Sequence, residues 1–419
     1  MDLNLVVTLF TGAVVVLSLY SSLLQRLSLP GPLLALAFGV LIGPYAVDLV
    51  RMEDFPLPTG TLLEQAARAT LAVGLTGVAL RLPHGYWRRS IRWLTVIIGL
   101  GMVGMLIIAT GALWAGAGVP LVLALLIAAI ITPTDPVVTT PVVTTPVVTG
   151  SMAEEKVPER VRFNLSAESG INDGLGYLFV MLPVLLMTGP DTAWQKLLTK
   201  VLLWEVLGAA VFGALFGYVL AKLFVLAKNK KLMEESSYLA FVIPFGLLAL
   251  GAAKLLGTDG VLAVFVAAAV FGQVVPERDE AQEDKVDDAV NRLFLLPVFM
   301  LLGIALPLDD WAQLGWAAPG TIIVAILARR LIILWALRPL LRCVHDRAET
   351  FFLSWFAPVG VSALFYATLA ERHTGNPDIF VYASLAITAS VVLHGLSTAP
   401  MSAWLKRHTS KSHQQEATG

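Results

Sequence analysis

The sequence predicts an all-α polytopic membrane protein with about thirteen transmembrane helices. Composition is the first observation: 57% of residues are hydrophobic, only 14% are charged and the mean hydropathy is +0.77, far from a soluble domain. The second is that apolar runs close to the ~20 residues needed to cross a ~30 Å hydrocarbon core recur along the whole chain. The third is an alternation of Lys and Arg between successive connections. Lipid offers the backbone no hydrogen-bond partners, so each span is expected to be helical. The single cysteine, Cys343, rules out a disulfide within one chain and a Cys-rich metal site, and six scattered histidines argue against a zinc centre.

Taken in order, the first apolar run opens at MDLNLVVTLF. Asp2 and the lack of a preceding Lys or Arg separate it from a cleaved signal peptide, so it is expected to stay as a span near 3–25. The following spans fall near 30–50, 59–80, 93–115, 119–140, 163–188, 201–227, 236–256, 259–275, 291–308, 319–341, 350–370 and 379–404. Odd-numbered connections and the C-terminus carry 21 Lys and Arg, whereas even-numbered connections carry only Arg51, Lys196, Lys200 and Arg372. That bias places the N-terminus outside and the C-terminus in the cytoplasm. A single transmembrane domain over 1–405 and a short solvated tail over 406–419 are expected, with no soluble domain appended.

Charges inside apolar segments are costly, roughly 2.5–3.5 kcal/mol each at mid-bilayer, and they mark pathways rather than lipid-facing surface. Arg68, Lys254, Arg329 and Arg330 are so placed, as are Glu64, Asp135, Glu168 and Asp173, with Glu205 and Asp259 nearer span ends. Lys254 and Asp259 suit snorkelling from a span end. Glu64 and Arg68, at i,i+4, suit a neutralised pair.

In TPTDP, Pro133 and Pro136 flank Thr134 and Asp135 and cannot donate to a helical ladder, so nearby carbonyls are left free. An unwound span at membrane depth survives only where it is buried in protein or lines a watery cavity. There the free carbonyls, the Thr134 hydroxyl and the Asp135 carboxylate would ligate a small cation. The ordinary alternative is a proline kink with Asp135 in a cytoplasmic vestibule. In SAESGINDGLGY, residues 166–177, helical spacing puts Ser169, Asn172 and Asp173 on one face, with Glu168 one turn before Asn172. Gly170, Gly174 and Gly176 would let a neighbouring backbone come close. The alternative here is a polar loop before the span proper. Oxygen ligands without sulfur or imidazole suit a hard monovalent cation. A buried carboxylate that is protonated when empty and ionised when loaded makes cation and proton compete for one site, which is sufficient chemistry for exchange.

TPTDP followed by ESGINDG, then Arg329 and Arg330 within an apolar segment, then WFAPVGVSALFYA and HGLSTAP, resembles the bacterial sodium/proton antiporters of the NhaP type, in the monovalent cation:proton antiporter-1 family. The resemblance runs from the first span to beyond His394. It implies thirteen helices, a homodimer, and two inverted repeats whose unwound helices, spans 5 and 12, cross near the ion site. Pro358 and Gly360 interrupt the twelfth span much as Pro133 and Pro136 interrupt the fifth. It further implies a transporter and not an enzyme, exchanging Na+, or Li+ or K+, for protons across the inner (plasma) membrane in pH and sodium homeostasis. The lipid bilayer and a second copy would be its partners, with no cofactor beyond the transported ions and no nucleic acid.

Carried over by position, the resemblance makes Asp173 the principal ion-binding and proton-exchanging carboxylate. Asn172 stands where electrogenic members have a second Asp, which implies electroneutral one-for-one exchange. Thr134, Asp135 and Ser169 would complete the shell of a Na+ held at Asp173 and Asp135. Glu168 would form a structural ion pair with Arg330 or Arg329, and the sequence does not choose between them. Two features depart from the pattern. Some archaeal relatives supply a glutamate from the middle of the third span, whereas LAVGLTGVALRL has no acid and Glu64, sitting earlier, is a weak candidate. VVTTP occurs at 137–141 and again at 142–146. A pentapeptide adds ~7.5 Å of helix and rotates every later residue about the axis, so the repeat is expected to emerge as an irregular or partly helical extension at the cytoplasmic end, dispensable for transport.

Three other classes fit less well. A channel would need a selectivity filter, and neither a TVGYG-like run nor a four-fold repeat is present. An intramembrane hydrolase could use Asp135 and Asp173 as a dyad, but no protease signature surrounds them. A transporter of an organic anion or other solute on the same architecture is the nearest rival, and it would want cations rather than several acids at its centre.

Overall fold

A computed structural model describes residues 3–19, 29–135, 159–232, 238–275, 291–341 and 346–416, and among these the chain is helical, with no strand. Five helices are long and apolar enough to cross a membrane: Tyr86–Ala117, Val161–Thr188, Pro190–Asn229, Ala317–Leu337 and Asp378–His408. The remaining apolar helices are shorter, and two of the breaks that shorten them form the site.

The chain opens with α1 (Leu3–Leu19) and α2 (Gly31–Ile42), then α3 (Thr59–Leu80), which coincides with the expected third span. The second span stops well short of residue 50. Gly43 closes the helix with its N–H on the Gly39 carbonyl, and Pro44 follows, so residues 43–50 fold back in turns. α4 (Tyr86–Ala117) crosses with a π-helical turn at Thr95–Gly101. α5 (Leu121–Ile131) is almost wholly apolar and ends where Pro133 removes the next backbone donor. α6 (Glu159–Thr188) is a continuous helix of 30 residues, so residues 166–177 are helical and not a polar loop.

α7 (Pro190–Asn229) leads to α8 (Tyr238–Leu255) and α9 (Gly260–Val274). Asp259, expected to snorkel, is instead the buried N-cap of α9, accepting from the Val261 N–H at 3.0 Å. Its short side chain satisfies an orphan donor at the helix start, which a snorkelling acid would leave unmet. α10 (Leu296–Ala305) and a short surface turn, α11 (Leu308–Gln313), precede α12 (Ala317–Leu337). α13 (Arg347–Trp355) and α14 (Val361–Thr374) are separated by the irregular residues 356–360. The last helix, α15 (Asp378–Glu416), runs through residue 405 without a break.

Small residues set how closely these helices approach. A Cβ on Gly39 of α2 would lie 2.1 Å from the Met300 carbonyl oxygen of α10, and one on Gly303 would lie 2.2 Å from that of Leu36, so α2 and α10 touch backbone to backbone. α5 and α14 pack on each other and both pack on α6, while α12 lies against α13 and α15. That brings the ends of two broken helices, the acid-bearing α6 and the arginine-bearing α12 into one core.

Candidate ion site at the crossing of two broken helices

α5 ends at Ile131, where the Thr132 N–H closes on the Ala129 carbonyl at 3.3 Å, and residues 133–135 leave the helix. Asp135 meets the second break. The Asp135 N–H donates to the Pro358 carbonyl at 2.9 Å, and the Val361 N–H at the start of α14 donates to the Asp135 carboxylate at 2.7 Å. Each break thus supplies what the other lacks, and Asp135 is 1% exposed. The proline-kink alternative, with Asp135 in an open vestibule, is not what the chain adopts.

Arg329 joins the two breaks from the side. Its guanidinium donates to the Thr132 carbonyl and to the Ala357 carbonyl, both at 2.8 Å, so one fixed fork holds a carbonyl just past the end of α5 and one from residues 356–360. Arg330, one residue on, faces α6. It pairs with both oxygens of Glu168, at 2.9 Å through Nη2 and more closely through Nη1, and its Nε donates to the Leu353 carbonyl at 2.7 Å. The choice the sequence left open therefore falls on Arg330. The pair is almost fully buried, with side chains 0% and 1% exposed.

The α6 face predicted from spacing meets the first break. Asn172 accepts from the Thr134 N–H at 3.2 Å and donates to its hydroxyl at 2.8 Å, while the Ser169 hydroxyl donates to the Thr134 carbonyl. Ser169 and Asn172 thereby use up most of the polar capacity of Thr134. Asp173 follows, 1% exposed and within electrostatic reach of Asp135, with the Ser362 hydroxyl beside it. Its Oδ1 has no hydrogen-bond partner among the described residues, and neither has Ser362 Oγ. Tyr366 of α14 packs over this point and donates its hydroxyl to the Asp173 backbone carbonyl. Gly176 is where Pro133 and Tyr366 press on α6: a Cβ there would lie 2.6 Å from the Pro133 ring and 2.8 Å from the Tyr366 ring. Of the three α6 glycines, Gly174 meets backbone, at Leu262, whereas Gly170 and Gly176 accommodate side chains.

Glu64 is not part of this cluster. Its carboxylate is held by Arg372 at the end of α14, at 2.8 and 3.1 Å, and Arg68 bonds Gln65 instead of closing the expected i,i+4 pair. Helix α14 packs against α3 and brings the fixed fork of Arg372 onto both carboxylate oxygens, which a neighbour on the same helix cannot match. Pro136 and the VVTTP repeat lie outside the described residues. Sequence reasoning missed four contributors: Ser362 and Tyr366, and the buried Ser390 and His394 of α15. Ser362 and Tyr366 could have been found, since both follow Gly360 within two turns of the second break.

The end of α5 meets the irregular residues between α13 and α14, with buried carboxylates at the meeting point, an arrangement similar to the ion sites of secondary transporters. Residues 12–404 match the family described as sodium/hydrogen exchanger, transmembrane, and the chain belongs to that family, as the TDP and ND motifs implied. It is 28% identical over 409 residues to Na(+)/H(+) antiporter 2 of Zygosaccharomyces rouxii, covering 90% of this chain and 50% of that one. It is 27% identical over 397 residues to the Na(+)/H(+) antiporter of Schizosaccharomyces pombe, covering 88% and 83%. The chain therefore spans half the length of the first relative and most of the second. Its fold is similar to that of the sodium proton antiporter MjNhaP1 from Methanocaldococcus jannaschii, with a TM-score of 0.71 at 18% identity, over 96% of this chain and 100% of that one.

Proposed function

We propose that the chain exchanges a monovalent cation, Na+ with Li+ or K+ as alternatives, for a proton at Asp173. The observation that carries this is a fully buried carboxylate with an unpartnered oxygen, Asp173 Oδ1, placed beside Asp135 and the Ser362 hydroxyl at the crossing of the two breaks. The two acids act on each other electrostatically, and either a proton or a desolvated cation at Asp173 would offset their repulsion. Asp173, Asp135 and Ser362 offer oxygen ligands there, which suits a hard cation. Thr134, Asp135, Ser169 and Asn172 form the rest of the shell, Na+ being held at Asp173 and Asp135. Asn172 carries no proton, so one cation replaces one proton and the exchange is electroneutral. An organic anion is less well served: Arg330 is committed to Glu168, and two donors of Arg329 to carbonyls.

The same reading makes residues 1–405 one transporter domain in the plasma membrane, with the N-terminus outside, the C-terminus cytoplasmic and two copies forming a homodimer. Its role is pH and sodium homeostasis. In reconstituted vesicles carrying a proton gradient, added sodium should collapse the gradient, and clamping the membrane potential with valinomycin should leave the rate unchanged. Asp173→Asn should abolish the response while the protein still purifies as a folded species. Sodium-driven proton movement retained in that variant would remove Asp173 from its role, and a rate that follows the potential would overturn electroneutrality.

A further inference from the structure

Residues 356–360 are short of hydrogen bonds within their own backbone, and two buried side chains of α15 reach them. The Val359 N–H donates to Ser390 Oγ at 2.7 Å, Ser390 Oγ lies 3.0 Å from His394 Nδ1, and His394 Nε2 lies 3.0 Å from the Trp355 carbonyl. Nδ1 also lies 3.1 Å from the Ser390 carbonyl. Both side chains are 0% exposed.

The direction of this chain follows the tautomer of His394. With the hydrogen on Nε2 the ring donates to the Trp355 carbonyl, the more distant partner in the fold, and Nδ1 is left to the Ser390 hydroxyl. No carboxylate bonds the ring among the described residues, and an unpaired buried charge is costly, so the ring is neutral and Nδ1 accepts. Ser390 Oγ accepts from Val359 and so turns its own hydrogen to Nδ1. The result is a directed relay from the Val359 N–H through Ser390 and His394 to the Trp355 carbonyl, spanning the second break from one side.

Between the two ends of that relay, and two residues beyond it, lie the groups that meet the first break. The Ala357 carbonyl accepts from Arg329, the Pro358 carbonyl accepts from the Asp135 N–H, and the Val361 N–H donates to the Asp135 carboxylate. We infer that His394 and Ser390 are positioning residues for cation binding: they fix the backbone on either side of Pro358 so that the Pro358 carbonyl and the Val361 N–H hold the Asp135 carboxylate at the ion site. This role rests on the exchange reading above.

The test is sodium-dependent proton movement in vesicles for the wild type, Ser390→Ala, His394→Leu and His394→Gln, with the thermal midpoint of each purified protein measured alongside. Ser390→Ala and His394→Leu each break the relay, and the half-saturating sodium concentration should rise roughly five- to tenfold, the equivalent of one lost hydrogen bond, with the maximal rate within about twofold. His394→Gln keeps an amide donor for the Trp355 carbonyl and should recover at least half of that rise on a logarithmic scale. If His394→Leu fails to fold, Ser390→Ala, which loses only a hydroxyl, carries the test. A half-saturating concentration unchanged in Ser390→Ala, a His394→Gln no better than His394→Leu, or a defect confined to maximal rate and stability would each overturn the positioning role. A wild type without sodium-driven proton movement would instead overturn the exchange reading itself, which separates the two failures.

Discussion

Arg329 and Arg330 are adjacent in sequence and yet hold different things, because successive residues on a helix point about a quarter-turn apart. Arg330 is a counter-ion. Removing its partner leaves a guanidinium buried and uncompensated, and breaking such a pair costs about 3–5 kcal/mol. Glu168→Gln should therefore fail first in expression and thermal midpoint, and a well-folded but inactive Glu168→Gln would instead give Glu168 a direct part in ion binding. Arg329 is a brace between two carbonyls, each at 2.8 Å. Arg329→Lys keeps the charge but loses the fork, so it can satisfy one carbonyl and not both. Its expected effect is a rise in half-saturating cation concentration of about tenfold in a folded protein, since a slackened contact between the breaks moves Asp135. Equal half-saturation in Arg329→Lys and wild type would show that charge alone is what this position supplies.

At the scale of elements, the two breaks were legible because proline is unambiguous: Pro133 and Pro358 remove backbone donors wherever they fall. The shared face of Ser169, Asn172 and Asp173 was legible because helical periodicity is local. Partners that come from distant elements were not. Nothing in the spacing of α12 tells which of two neighbouring arginines turns to Glu168, since that depends on how α12 rotates against α6. Glu64 shows the limit most plainly. Arg68 stands at the right helical distance, but the partner is Arg372, 308 positions away, at the far end of α14. This second ion pair joins α3 to α14 near the protein surface, with Arg372 54% exposed and Glu64 6% exposed. Solvent screening on the arginine side limits its strength. A double-mutant cycle of Glu64→Gln and Arg372→Gln should give a coupling below about 1 kcal/mol in thermal stability. A coupling of several kcal/mol would mean that the pair is a structural clamp of the same rank as Glu168 and Arg330.

For the whole molecule, the consequence of placing one exchanging carboxylate at the crossing is a fixed relation between pH and cation affinity. When proton and cation occupy Asp173 in turn, neither can add to the site while the other is bound. Lowering the pH on the cation-binding side should then raise the half-saturating sodium concentration while saturating sodium restores the full rate. The sign comes from competition. The cation binds the ionised carboxylate, the proton removes that form, and more cation is needed to recover it. Where the proton is the stronger competitor, the half-saturating concentration should climb ~tenfold for each unit of pH, the slope of one-for-one replacement, and it should flatten at alkaline pH where the carboxylate is ionised without help. A second titrating group in the same step would steepen the slope toward a hundredfold per unit. The buried neighbour able to supply it is Asp135, because Asn172 has no proton to give. Asp135 accepts from the Val361 N–H at 2.7 Å, a contact that ties it to the second break. Initial rates over a range of sodium and pH in reconstituted vesicles read the slope directly. A unit slope supports exchange through Asp173 alone, a double slope would bring Asp135 into the step, and a maximal rate that falls with pH at saturating sodium would show that proton and cation do not share one site.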